Sequence, residues 1–257
     1  MRRALILLLI SMLLASCHQM STSCKLGTPR WIKPTKAERT AHQVPAEDRA
    51  RFEMLARHSI HHGKPDRLIG NIQEGDLIAY HMTSRQKRDG VLDGDVRTIL
   101  YLVVKYAHLA IVVRDPDEPG KLRLYSSESS HGPNLLEDLS DLKKHSFDVY
   151  RLDKIDRLDM NRLREFAAVS VKKKHKCYDY SFLSMFGIWS NQLEPETKED
   201  IDDDYMCSTS VAAALHYAGF DLDRVRCCEA FNLISPSYVL NSGGRIYQPG
   251  ACRSCKQ

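Results

Sequence analysis

Beyond residue 14 no apolar run in this chain reaches 18 residues, and before it only Ala4 to Leu14 is predominantly nonpolar. No permanent membrane helix is therefore expected, because one needs about 20 apolar residues in succession, and the apolar side chains are available to build a core. Its 257 residues, 43% hydrophobic and 27% charged, suffice for one large domain with appendages and are too few for two full ones. The same composition excludes collagen, a long coiled coil and a wholly disordered chain. A formal charge of +4, with no concentrated basic stripe, argues against a nucleic-acid partner.

Met1-Arg2-Arg3 ahead of Ala4 to Leu14 fits a signal-peptide start and core. Leu14-Ala15-Ser16-Cys17 resembles the bacterial lipobox, in which a signal peptidase cuts before a cysteine that is then acylated. The expected product loses residues 1–16 and is anchored by acyl chains on Cys17, without spanning the bilayer. In the lipoproteins it resembles, the residue after that cysteine influences sorting. His18, not being Asp, points to the outer membrane, on the periplasmic face of the cell envelope.

Residues 17–67 are read as lipidated N-terminus, tether and flanking helix. The tether carries Pro29, Pro34 and Pro45, and the helix is expected over Ala46 to His62, where Phe52, Leu55, Ala56 and Ile60 recur at helical spacing. Residues 68–248 are expected to form the domain and 249–257 a tail. Within the domain, Gly75 should turn into a strand ending at Tyr80, Gln86 to Val96 should be a loop, and Thr98 to Ala107 a helix. Leu109 to Val113 and Leu122 to Ser126 read as a hairpin around Glu118-Pro119-Gly120. A helix over Leu135 to His145, a strand over Phe147 to Leu152 and a helix over Met160 to His175 should follow. The fold class is α+β.

Cys207 to Ala218 is a helix pattern rich in Ala and Val, and Gly219 is suited to terminate it. Cys207 thus opens a helix, where unpaired N–H groups and the dipole favour a thiolate. Position alone reads equally well as a small buried helix residue. A thiolate nucleophile also needs an imidazole, and a third group that fixes the imidazole's tautomer. His108 opens an apolar strand, and Glu128, just past the returning strand of the hairpin, falls near it.

Six motifs then occur in order: Gly75-Asp76-Leu77-Ile78, Ala107-His108-Leu109-Ala110-Ile111, the Glu128 region, Tyr178-Asp179-Tyr180-Ser181-Phe182, Tyr205-Met206-Cys207-Ser208 and Ile234-Ser235-Pro236-Ser237. Together they resemble the YaeF/YiiX group of circularly permuted NlpC-like, papain-like cysteine hydrolases, over about residues 68 to 240. The resemblance implies a permuted papain-like fold, in which an antiparallel sheet carrying the His packs against a C-terminal helix carrying the Cys. It implies Cys207 as nucleophile, His108 as general base and later acid, and Glu128 as the group orienting His108, in acyl transfer through a thioester. The oxyanion would be held by the Cys207 N–H and one further donor, with Tyr178 or Tyr180 nominated. One departure is visible: Cys207-Ser208-Thr209 stands where relatives usually read Cys-Ser-Glu.

The expected substrate is an amide of a peptide, with peptidoglycan stem peptides leading. The alternatives are acyl groups of lipids, for which the apolar patch Leu183 to Trp189 is suited, and a non-catalytic binding module in which Cys207, His108 and Glu128 would not cluster. No cofactor is implied and no metal site is assigned, although His58, His61 and His62 have i, i+3, i+4 spacing. His81 reads as a satisfied structural histidine. The acidic stretch Glu194 to Asp204 reads as a solvated loop, or as a rim attracting amines. The sequence leaves oligomeric state open, together with the pairing of Cys24, Cys177, Cys227, Cys228, Cys252 and Cys255.

Overall fold

Short strands separated by turns satisfy their backbone groups by pairing with one another. In the computed structural model of the chain they do so in one antiparallel sheet. The structure describes residues 45–61, 65–83, 106–128, 132–173, 194–201, 205, 207–222 and 236–249, all within a unit made of Pro45–Arg224 and Ala230–Gln257. Among these residues the strands are β1 (Arg49–His58), β2 (Leu77–His81), β3 (Tyr106–Arg114), β4 (Leu122–Glu128), β5 (Gly132–Asp138), β6 (Phe147–Leu152), β7 (Phe220–Leu222) and β8 (Gly243–Ile246). Their order in the sheet is β5-β4-β3-β2-β6-β1-β8-β7. The helices are α1 (Asp66–Ile69), α2 (Met160–Lys172), α3 (Cys207–Tyr217) and α4 (Pro236–Asn241), with single 3-10 turns at Leu139–Lys144 and Ile155–Arg157.

The sheet has a core on each face. Leu109, Ile111 and Val113 of β3 pack with Leu163 and Phe166 of α2 and Val211 and Leu215 of α3. Ala110 and Val112 face the other way, with Ile78, Leu142, Phe147 and Val149. Covered on both sides, β3 reads as a continuous apolar run, and each large aliphatic or aromatic side chain so buried contributes about 1.5–3 kcal/mol. Every residue of α3 is buried, which its small Ala-rich surface permits between sheet and α2.

Local chemistry sets the boundaries. Gly75, at φ +89°, makes the turn into β2, and the buried Asp76 beside it is gripped by Arg151 at 2.7 and 2.8 Å. Asp115 closes the β3–β4 turn by accepting from the N–H groups of Asp117 and Glu118. Asp159 caps α2 through the N–H groups of Asn161 and Arg162. Gly219, at φ +100°, ends α3.

Three sequence expectations are corrected. The described part of the helix expected over 46–62, residues 46–61, holds the ten-residue strand β1 between β6 and β8 in place of a helix. A bulge between Met54 and Ala56 turns Phe52 to the helix-bearing face and Ala56 to the opposite core, so apolar residues four apart imitate helical spacing. Tyr106 and Ala107, expected to end a helix, begin β3, with the rest of that expected helix and the loop 86–96 outside the described residues. Residues 135–145 divide between β5 and a 3-10 turn, because the reciprocal cap between Asp138 and Asp141 starts the turn only at Leu139. The patch at 183–189 also lies outside the described residues.

Candidate active site

The β3–β4 ladder runs from Arg114↔Leu122 to Ile111↔Tyr125 and stops, while β4 continues to pair with β5 as far as Glu128↔Gly132. A fork therefore opens between β3 and β4 at residues 108–110 and 126–128. Val112 exchanges its backbone bonds with the β2 side, through Gly75 N–H and the Asp76 carbonyl. By alternation Leu109 directs its N–H toward β4, into the fork.

The first residue of α3 fills that opening. Cys207 is buried, and the His108 imidazole and the N–H groups of Leu109 and Ser208 act on its sulfur. Burial pushes the Cys207 thiol up, but the charge and hydrogen bond of His108, with the two N–H donors, bring it below its ordinary value. Burial likewise disfavours the His108 imidazolium. The Cys207 thiolate, then Glu128 and Glu137, together outweigh this, so the His108 pKa stands above its ordinary value. Both shifts run toward a thiolate–imidazolium pair.

The register that pairs Ile111 with Tyr125 sets residue 108 opposite residue 128, so Glu128 acts on His108 from across the fork. Tyr80 of β2, paired with His108, lays its ring beside the imidazole at 5.5 Å between centroids and donates its hydroxyl to Glu137 Oε2 at 3.0 Å. Burial and the Glu137 and Glu128 carboxylates hold the Tyr80 phenol far above its ordinary pKa, so it remains a neutral donor.

The approach to the nucleophile is fixed from both sides. Ser127 Oγ donates to the Tyr205 carbonyl, and Ser210 Oγ donates to that of Cys207 at 3.0 Å. Upstream, the ammonium of Lys173 donates to the carbonyls of Lys198, Glu199 and Ile201 at 3.1, 3.0 and 2.7 Å. Arg162 holds the Glu196 carbonyl at 2.8 Å, and Asp200 receives the Thr197 N–H at 2.9 Å. The described part of the acidic stretch is thus a fastened loop with Glu194, Glu196 and Glu199 exposed.

The structure brings Cys207, His108 and Glu128 to one place. Tyr178, Tyr180 and the lipidation candidate Cys17 lie outside the described residues, as do Cys24, Cys177, Cys227, Cys228, Cys252 and Cys255. Cys207 itself carries a free thiol. His58 is buried against Phe147, with ring centroids 5.3 Å apart; His61 is exposed and His62 lies outside the described residues. No cluster of three metal-ligating side chains occurs among the described residues. His81 is satisfied by Asp148 at 2.8 Å.

The Leu109 N–H, Ser127, Tyr80 and Glu137 are contributors that sequence reasoning missed. A backbone donor leaves no compositional trace, whereas Ser127 had one signal, its place beside Glu128. Compared with known proteins, the chain matches no family model, no curated protein and no solved structure.

Proposed function

We propose that the protein is a cysteine hydrolase of the permuted papain-like kind, cleaving amide bonds by acyl transfer, with peptidoglycan stem peptides as its leading substrate and a lipid anchor at Cys17 holding it to the cell envelope. The observation that carries this reading is the buried Cys207 thiol at the start of α3, on which His108 of β3 acts and whose partner imidazolium Glu128 favours.

In the first half-reaction the Cys207 thiolate attacks the carbonyl carbon and the negative charge passes to its oxygen, to which the Cys207 N–H at the helix start donates. The C–N bond then breaks, His108 gives its proton to the leaving amine, and a thioester remains on Cys207. In the second half-reaction water loses a proton to neutral His108 and attacks the thioester. The carboxylic product leaves, the thiolate returns, and the proton stays on His108. Tyr178 or Tyr180 would supply the second oxyanion donor.

Iodoacetamide labelling of the Cys207 peptide, followed by mass spectrometry across pH, tests the reading. Wild type should react at pH values well below those of an ordinary thiol of pKa about 8.5, and His108→Ala should lose that advantage. Equal, ordinary reactivity in both would overturn it. Offering muropeptides and phospholipids in parallel then separates amide from lipid acyl substrates.

A further inference from the structure

The end of the sheet that holds His108 also carries a second polar cluster, on the helix-bearing face. Its centre is Asp148 of β6, which is fully buried. His81 Nε2 lies 2.8 Å from Oδ1, the Tyr106 hydroxyl donates to Oδ2 at 2.6 Å, and Arg57 donates from Nε and Nη2 at 2.9 and 3.1 Å. Tyr150 shares the Tyr106 hydroxyl at 2.6 Å. The partners keep the Asp148 carboxylate ionised against the cost of burial, and Arg57 balances its charge.

The cluster stands at an irregularity in the β2–β3 ladder. Tyr80 pairs with His108 and His81 with Tyr106, so Ala107 is an extra residue on β3. Strict alternation would set Tyr106 and His108 on one face. The inserted residue separates them: Tyr106 packs in the core that α2 and α3 cover, and His108 lies beside the Tyr80 ring, which belongs to the other core. A bulge that moved by one residue would turn the intervening side chain to the opposite face. Both residues flanking this one, Tyr106 on β3 and His81 on β2, are bound to the same carboxylate.

We propose that Asp148 is a positioning residue: through Tyr106 and His81 it locks the bulge at Ala107, and the locked bulge presents His108 to Cys207. This rests on the reading of Cys207 and His108 as a reactive pair. The groups facing His108 are Cys207 of α3, Tyr80 of β2, Glu128 of β4 and Glu137 of β5. Asp148 is not among the strongest of these, so its influence travels through the backbone at the bulge.

The test is the pH profile of Cys207 alkylation in the full chain for wild type, Asp148→Asn, Tyr106→Phe and Asp76→Asn. Asp76 is an equally buried carboxylate, paired with Arg151 at the opposite end of β2, and serves as the control for general loss of stability. Asp148→Asn and Tyr106→Phe should move the acid limb of the profile toward that of an ordinary thiol, slowing alkylation at pH 6 by about tenfold, while Asp76→Asn leaves the limb in place. Tyr106→Phe retains the ring and its packing and decides the matter if Asp148→Asn does not fold. A wild-type profile in folded Tyr106→Phe overturns the positioning role alone. An ordinary thiol profile in wild type overturns the underlying reading of Cys207.

Discussion

His108 and Glu128 stand opposite each other across the open end of a hairpin whose ladder has already stopped at Ile111↔Tyr125. Glu128 favours the imidazolium of His108 by its charge, and removing that charge lowers the His108 pKa. The Cys207 thiol is lowered and the His108 imidazole raised, both toward a thiolate–imidazolium pair, so Glu128→Gln disfavours that pair from its alkaline side. NMR titration of labelled histidine should show His108 losing its proton at lower pH in the variant, and an unchanged titration would remove Glu128 from the site.

Ser127→Ala tests the anchor of the segment leading into α3. The Tyr205 carbonyl would lose its donor inside a buried site, a loss of about 1–3 kcal/mol. Urea denaturation should register it, and Cys207 alkylation should slow because Tyr205 lies two residues before the nucleophile. A variant as stable and as reactive as wild type would mean the bond contributes nothing.

Lys173→Met withdraws an ammonium shared by three carbonyls of the loop at 198–201. Because Lys173 is only partly buried, global stability should change by about 1 kcal/mol or less. Cleavage between residues 194 and 206 by a protease specific for Glu should nevertheless accelerate several-fold, since local opening controls such cleavage. Resistance equal to that of wild type would show that the Arg162 and Asp200 contacts suffice.

Gly219→Ala bears on the fold itself. Its φ of +100° disfavours any L side chain, and an added Cβ would meet the Tyr247 carbonyl oxygen at 2.6 Å. Thermal unfolding should show a loss of at least about 2 kcal/mol, with α3 displaced from the end of β8. A change of a few tenths would contradict the close approach.

Acid stability should report Asp148. Burial opposes its charge, but Arg57, Tyr106 and His81 lower its pKa to about 2 from an ordinary 3.8. A depressed carboxylate contributes stability that is fully present above the unfolded value and is lost as pH falls through the folded one. The contribution is about 2 kcal/mol. Urea midpoints of wild type and Asp148→Asn should therefore differ by a constant amount above about pH 4 and converge toward pH 2; a difference that persists undiminished at pH 2 would argue against the ionised partner set.

Features of short range were the legible ones in the sequence. The Ala- and Val-rich run after Cys207 with its terminal Gly219, the hairpin around residues 118–120, and the capped helix α2 each carry their signal within a dozen residues, and from them the meeting of Cys207, His108 and Glu128 could be anticipated. The segment at 49–58 was misread because its bulge breaks the two-residue period, and its partners β6 and β8 lie about 90 and 190 residues away. The fork was invisible for a related reason: where a ladder ends depends on what packs into it, here the buried first residue of α3, far along the chain. Asp148 did leave a mark, a carboxylate between Phe147 and Val149 in a strand, and a buried charge calls for partners.

The Leu109 N–H, which acts on the Cys207 sulfur beyond the end of the β3–β4 ladder, makes one backbone amide a built-in spectroscopic reporter. Its proton resonance and exchange rate should follow the charge on Cys207, and acylation of the sulfur should register there at once. Occupancy of the thioester could thus be followed without a chromogenic substrate, and before the natural one is identified.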